Sequence, residues 1–166
     1  MDIIIRKVKK EDIEDVADIK ISGWQTAYKG IIDNSFLEKM DKTKEIEKSM
    51  SYYNKDIGFI VALNENEIVG FSRYSEIENQ GEIDCEIRAL YVKPELKNNG
   101  IGRKLFNYAV KEFKQKRKNK MIIWCLKENY PSRAFYEKMG GKFSGVKKES
   151  FGDKEYELVS YVYSIK

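Results

Sequence analysis

A chain of 166 residues is the size of one domain, and its 31 basic against 27 acidic residues leave a net charge of +4, a mildly basic surface too weak to argue for nucleic acid. Folding at this length buries roughly 70% of the unfolded chain's surface, so neither disulfides nor a structural metal are required. The chain contains no histidine, which removes serine–histidine and cysteine–histidine nucleophile pairs and every histidine-dependent metal site; any general base must be a carboxylate, a lysine, a tyrosine or water.

Asp2 to Val8 reads as a first strand, and without a basic region leading into a long apolar stretch it is not a signal peptide. No run approaches the ~18 apolar residues of a membrane span, so a cytoplasmic protein with no membrane partner is expected. Helical periodicity runs from about Glu11, with Ile13, Val16, Ala17 and Ile21 on one face, and Trp24, Ala27 and Tyr28 extend it until Gly30. A short helix capped near Asp33 carries Phe36, Leu37 and Met40, and a polar helical stretch follows from Thr43 to Tyr53.

The period then changes to two. Ile57 to Leu63 and Glu67 to Ile77 form a hairpin across Asn64-Glu65-Asn66, and Glu82 to Val92 is a further strand ending before Pro94. After a loop from Glu95 to Asn99, an amphipathic helix runs from Ile101 to about Lys116, burying Ile101, Leu105, Ala109 and Phe113 with Phe106 alongside. Lys120 to Leu126 is a strand reached through that helix, so it should lie parallel to its predecessor. Pro131 opens a helix that Gly140-Gly141 closes, and Lys142 to Lys148 and Glu155 to Ser164 are terminal strands. Cys85 and Cys125 both fall inside apolar strand runs and read as small buried hydrophobes in a reducing compartment.

Lys97-Asn98-Asn99-Gly100-Ile101-Gly102-Arg103 joins a strand to a helix. Its glycines permit a sharp turn, the helix N-terminus presents unsatisfied N–H groups, and Lys97, Arg103 and Lys104 add positive charge, a combination that binds phosphate. A tight turn with no ligand is the plain alternative. No Gly-Lys-Ser/Thr follows, so this is not a Walker loop, and the third glycine of a dinucleotide fingerprint is missing.

Leu90-Tyr91-Val92-Lys93-Pro94-Glu95 followed by Lys97-Asn98-Asn99-Gly100-Ile101-Gly102 resembles the coenzyme A motif of the GNAT superfamily, with Lys97 where arginine or glutamine is usual. Downstream, Trp124 to Asn129 and Ser132-Arg133-Ala134-Phe135-Tyr136-Glu137-Lys138-Met139-Gly140, followed by Phe143, resemble that family's second motif. The resemblance spans essentially the whole chain. It implies one mixed α/β domain over residues 1–166, with a mostly antiparallel sheet of about seven strands flanked by about four helices and one parallel pair splayed around the cofactor.

The same resemblance implies acetyl transfer from acetyl-CoA to a primary amine by direct attack in a ternary complex. Leu90, Tyr91 and Val92 would hold the pantetheine with their backbone, and an N–H near Leu90 would face the oxyanion. Asn129 would bond the pantetheine amide, and Lys97, Asn98, Asn99, Gly100, Ile101, Gly102 and Arg103 would cradle the pyrophosphate. Ser132 and Phe135 complete the cofactor set. Tyr136 matches the tyrosine near the sulfur and is the candidate general acid, with helix packing as its alternative. Glu86 matches an acidic position and is the candidate base; alternation puts it on one face with Arg88 and Leu90, and an ion pair with Arg88 or a lysine is the other reading. Trp24 and Tyr28, in a segment resembling an N-terminal pattern that walls the acceptor site, are candidate substrate contacts, with core packing as the alternative, above all for Trp24; Tyr74 on the central hairpin is a third and could face either way.

The basic run from Lys111 to Lys120 sits at a helix C-terminus, where cations complement the dipole, so no nucleic-acid partner is expected. No metal is expected either. The acceptor is a small molecule or a peptide amine; a homodimer through the terminal strands and an inactive acyl-CoA-binding sensor remain alternatives.

Overall fold

The computed structural model describes residues 1–55 and 58–166; the predicted strand start at Ile57 lies outside them. Seven strands, β1 (Ile3–Lys7), β2 (Gly58–Asn64), β3 (Glu67–Gln80), β4 (Ile83–Val92), β5 (Lys120–Leu126), β6 (Lys142–Phe151) and β7 (Lys154–Ser164), form one sheet in the order β1-β2-β3-β4-β5-β7-β6. Every neighbouring pair is antiparallel except β4 and β5. Five helices rather than about four are described: α1 (Ile13–Ala27), α2 (Asn34–Glu38), α3 (Lys42–Tyr53), α4 (Ile101–Gln115) and α5 (Tyr130–Lys138).

The sheet is covered on both faces. α4 carries the predicted stripe of Ile101, Leu105, Phe106, Ala109 and Phe113 into a core with Ile60, Val69, Cys85, Ile87 and Met121; full burial of Leu105 alone contributes about 2 kcal/mol. On the opposite face, Ile13, Val16 and Ile19 of α1 pack on Phe59, Val61, Phe71 and Ala89. The buried stripe of α1 turns through Ile19 rather than Ile21, which is only half-buried. Gly23 brings α1 close to the sheet, since a Cβ there would stand 3.3 Å from the ring of Tyr91.

Tyr74, expected at the acceptor site, belongs to the α4-side core. Its ring lies edge-on to Phe113 at 5.4 Å, and a side chain at Gly58 would collide with it. Strand alternation is the reason: Arg73 and Ser75 take the α1 face, so Tyr74 takes the other.

The parallel pair is short. Only Cys85, Glu86 and Ile87 register with Met121, Ile122 and Ile123. Its beginning is fixed by buried Asp84, whose carboxylate accepts hydrogen bonds from Asn119 N (3.0 Å) and Lys120 N (3.1 Å). Its end is a β-bulge: Arg73 pairs with Ala89 and Tyr74 with Ile87, leaving Arg88 as an extra residue. The Ser72 hydroxyl, fully buried, donates to the Ala89 carbonyl at 2.7 Å. The bulge shifts the alternation, so Leu90 joins the α4-side core while Ala89 and Tyr91 join the α1 side. Glu86 and Leu90 therefore face opposite ways, contrary to the simple alternation expected for them.

Replacing Asp84 with Ala leaves two strand-entry N–H groups unpaired. Urea unfolding should show a loss of about 2–3 kcal/mol, typical of hydrogen bonds to a charged group, and Asp84→Asn should recover part of it.

Candidate functional site

Beyond Ile87 and Ile123 the parallel strands no longer pair. The edge of β4 that faces β5 is thus unpaired over residues 88–92, and a cavity of about 450 Å³ opens between the strands. It is continued by the β4–α4 turn on one side and by α5 on the other.

In that turn Asn98 (φ 70°) and Gly100 (φ 79°) adopt left-handed conformations, which glycine tolerates freely and asparagine more readily than most residues. Gly100 stands at the N-cap of α4 with no side chain capping the helix, and the first turn holds no acidic residue. The leading N–H groups of α4 therefore look into the cavity with the positive end of the helix dipole behind them. Gly102 differs from Gly100: its φ is ordinary, and a Cβ there would come no closer than 3.6 Å to another atom, that of Phe135. Nothing in the fold requires glycine at 102, and what its bareness provides is open surface beside the helix N-terminus.

The cavity is lined by Leu90, Tyr91, Val92, Lys97, Asn98, Gly100, Ile101, Gly102 and Arg103, and by Asn129, Ser132, Phe135 and Tyr136. Asn99 is the exception in the predicted cradle, because its amide donates to the carbonyls of Leu96 (3.0 Å) and Lys97 (3.3 Å) and so braces the turn from within. Ile101 contributes backbone only, its side chain being core. Asn129 is buried and caps α5, accepting from Ser132 N at 3.4 Å.

The backbone of Tyr136 is anchored through its carbonyl, which accepts from the Tyr163 hydroxyl (2.8 Å) and from Gly141 N (3.0 Å), and its ring packs against Phe135 and Tyr161. Burial pushes the Tyr136 phenol well above its ordinary range, with neighbouring Cys125, Tyr91 and Tyr163 adding to the shift. It stays protonated throughout the neutral range. Burial likewise pushes the thiols of Cys85 and Cys125 up to about 12 and about 11, which leaves neither a nucleophile at neutral pH.

A second cavity, of about 680 Å³, lies on the α1 face of the sheet and shares Tyr28, Arg88, Tyr91, Trp124 and Cys125 with the first. Trp24 and Glu86 line it as well. Trp24 Nε1 donates to the Tyr91 hydroxyl at 2.8 Å, tying α1 to β4 at the junction of the two cavities. Glu86 faces this cavity with an 18% exposed side chain, and it forms the predicted ion pair with Arg88, 3.5 Å from Nη1. Burial pushes its carboxyl up, opposed by Arg88 and Lys147.

Sequence reasoning missed Tyr52, Arg73, Trp124 and Lys147 as lining of the second cavity. Arg73 was within reach, since alternation along Phe71-Arg73-Ser75 puts it on one face. Lys147 was not, because only the antiparallel return of β6 beside β7 brings it over the Trp124 ring, at 4.3 Å from its centroid.

Residues 24–141 match the Acetyltransferase (GNAT) family. A Thermoplasma acidophilum protein named spermidine N(1)-acetyltransferase is 31% identical over 166 residues, covering 95% of this chain and 99% of that protein. An uncharacterized N-acetyltransferase of Bacillus subtilis, YuaI, is 28% identical over 136 residues, or 81% of this chain and 78% of its own. Among solved structures, PaiA N-acetyltransferase from Thermoplasma acidophilum in complex with coenzyme A superposes with a TM-score of 0.72 at 27% identity, covering 98% of this chain and all of the other.

The two turn glycines should separate by experiment. Gly100→Ala places a Cβ in a left-handed conformation and should cost about 1–2 kcal/mol in denaturant unfolding. Gly102→Ala, inside a helix with room for the methyl, should be neutral or stabilise by up to about 1 kcal/mol.

Proposed function

Because this chain belongs to the acetyltransferase (GNAT) family, we propose that it transfers an acetyl group from acetyl-CoA directly to the primary amine of a small molecule. The observation that carries this reading is the meeting of two cavities at the point where β4 leaves β5, one ending on an uncapped helix N-terminus and the other approaching from the opposite face.

The first cavity fits an elongated anion. The leading N–H groups of α4, with Lys97 and Arg103, would take the phosphates, and the bare Gly102 lets them approach. The backbone of residues 90–92, which has no strand partner on the β5 side, and the buried amide of Asn129 would hold the pantetheine arm. Acetyl-CoA, when bound, supplies the acetyl group as a thioester.

An acceptor ammonium with a pKa of about 10.4 must lose a proton before its nitrogen can attack. Glu86, facing the second cavity with its carboxyl pushed up by burial, is a better proton acceptor than an ordinary surface carboxylate and serves directly or through water. Tyr136 holds its phenolic proton across the neutral range and is the donor to the departing sulfur. The amine nitrogen bonds to the acetyl carbon as the carbon–sulfur bond is broken. Of the two protons that the ammonium gives up, one replaces the proton that Tyr136 has passed to the thiol and the other leaves through Glu86 to solvent. The small amine for which the Thermoplasma acidophilum relative is named favours a small acceptor over a protein. The two free buried thiols accord with a cytoplasmic location.

Titration calorimetry with acetyl-CoA and desulfo-CoA should give saturable binding, with NADH giving none; no binding of the first two overturns the reading. Gly102→Val should weaken that binding at least tenfold without loss of fold. Tyr136→Phe should lower kcat by about 10²-fold or more, with the KM for acetyl-CoA little changed. In the parent enzyme, kcat/KM should rise with pH through a carboxyl titrating above the ordinary value of about 4.3, because the ionised form is the base. Glu86→Gln should abolish that limb.

A further inference from the structure

The acceptor-side cavity is not built for a polycation. Three carboxylates line it, but Glu76 is paired outside it with Lys118 at 2.9 Å and Glu86 is shared with Arg88. Glu149, on exposed β6, is the third. Against these stand Lys55, Arg73, Arg88 and Lys147, so that among the described residues the wall holds one more cation than carboxylates even before the Lys118 pair is counted.

Arg73 and Lys147 are the informative members. Neither forms a direct ion pair among the described residues, although Lys147 acts on the Glu86 carboxyl from beyond contact distance; each is laid on an aromatic face. The Arg73 guanidinium carbon lies 3.6 Å from the centroid of the Tyr52 ring, and Lys147 Nζ lies 4.3 Å from that of Trp124. Stacking holds a cation in place without neutralising it, and leaves the in-plane N–H donors of a guanidinium free. Burial pushes the Arg73 pKa down, opposed by Tyr52 and Tyr91, and the neighbouring Arg88 acts in the same direction as burial. A half-buried, oriented guanidinium with no ion-pair partner among the described residues is, in a cavity wall, a receptor for a planar anion.

We propose that the acceptor is an amine bearing a carboxylate, an amino-acid-like compound whose carboxylate is held by Arg73, with Lys147 adding positive charge to the same cavity, while its ammonium lies toward Glu86 and the junction of the two cavities. The inference rests on the acetyl-transfer reading and narrows its acceptor. It also separates this chain from the relative named for spermidine, since a polycation would meet like charge along the cavity wall.

The test is a thiol-release assay with acetyl-CoA on matched sets: the common amino acids, their carboxamides, the corresponding decarboxylated amines, and spermidine. The best amino acid should exceed its own carboxamide and decarboxylated amine by at least tenfold in kcat/KM. Arg73→Gln should collapse that ratio toward one through KM, with Arg73→Lys intermediate. Should Arg73→Gln fail to fold, Lys147→Gln, on exposed β6, should lower the same ratio severalfold. A carboxamide, plain amine or spermidine equalling or exceeding the amino acids would overturn the inference while leaving acetyl transfer intact. Absence of thiol release with every amine would count against acetyl transfer itself. The anion preference is then read without turnover, by calorimetric titration of the CoA-saturated protein with the best-tolerated amino acids and their carboxamides, and equal or absent binding overturns it there.

Discussion

The architecture depends on how little β4 and β5 pair. Three residues on each strand register, and the contact is bounded by Asp84 at its start and by the Arg88 bulge at its end. A longer ladder would close the sheet and remove the unpaired edge on which the first cavity is built. The bulge leaves Arg88 as an extra residue, turns Leu90 to the α4 side, and is stabilised by the Ser72 hydroxyl, which donates to the carbonyl of Ala89. The gap is supported from behind, by the Ser72 hydroxyl on the Ala89 carbonyl at β4 and by the fully paired β5–β7 ladder at β5, while the strand edges that face it stay unpaired.

The two faces of the sheet then divide the work. The α4 face is closed by a continuous apolar core, which fixes the N-terminus of α4 at the end of the gap. The α1 face is covered less completely: α1 packs over β2, β3 and β4, α2 and its flanking aromatics pack over β5 and β7, and the second cavity lies between them. The polar groups there, Glu86, Arg88 and Arg73, would be costly inside a closed core and are tolerable because they face this space.

Much of this was legible from residues alone. The stripe Ile101, Leu105, Ala109 and Phe113 specified α4 and its buried face because a strong amphipathic period has few alternative uses, and the strand–helix–strand order fixed the parallel pair. The glycine turn was legible because Gly100 and Asn98 mark left-handed backbone and α4 follows at once. The misreadings have two causes. Alternation was extrapolated through β4 without the bulge, which a single sequence does not announce, and Tyr74 was placed at the acceptor site without the alternation that sets it opposite Arg73 and Ser75. Lys147 joined the site only through the antiparallel return of β6 alongside β7, a tertiary fact with no local signature.

Tyr91 belongs to both sides of the gap. Its backbone lines the slot between the strands, while its ring packs on Phe71 and against Gly23 and its hydroxyl is held by Trp24 of α1. A displacement of β4 at this residue is passed to the helix that walls the opposite cavity, and a displacement of that helix is passed back. Two ligands meeting across such a residue would have linked affinities, and linkage is reciprocal: whatever factor one occupant added to the binding of the other, it would receive in return. Occupancy of either cavity would thus answer to one tyrosine's fit between helix and strand.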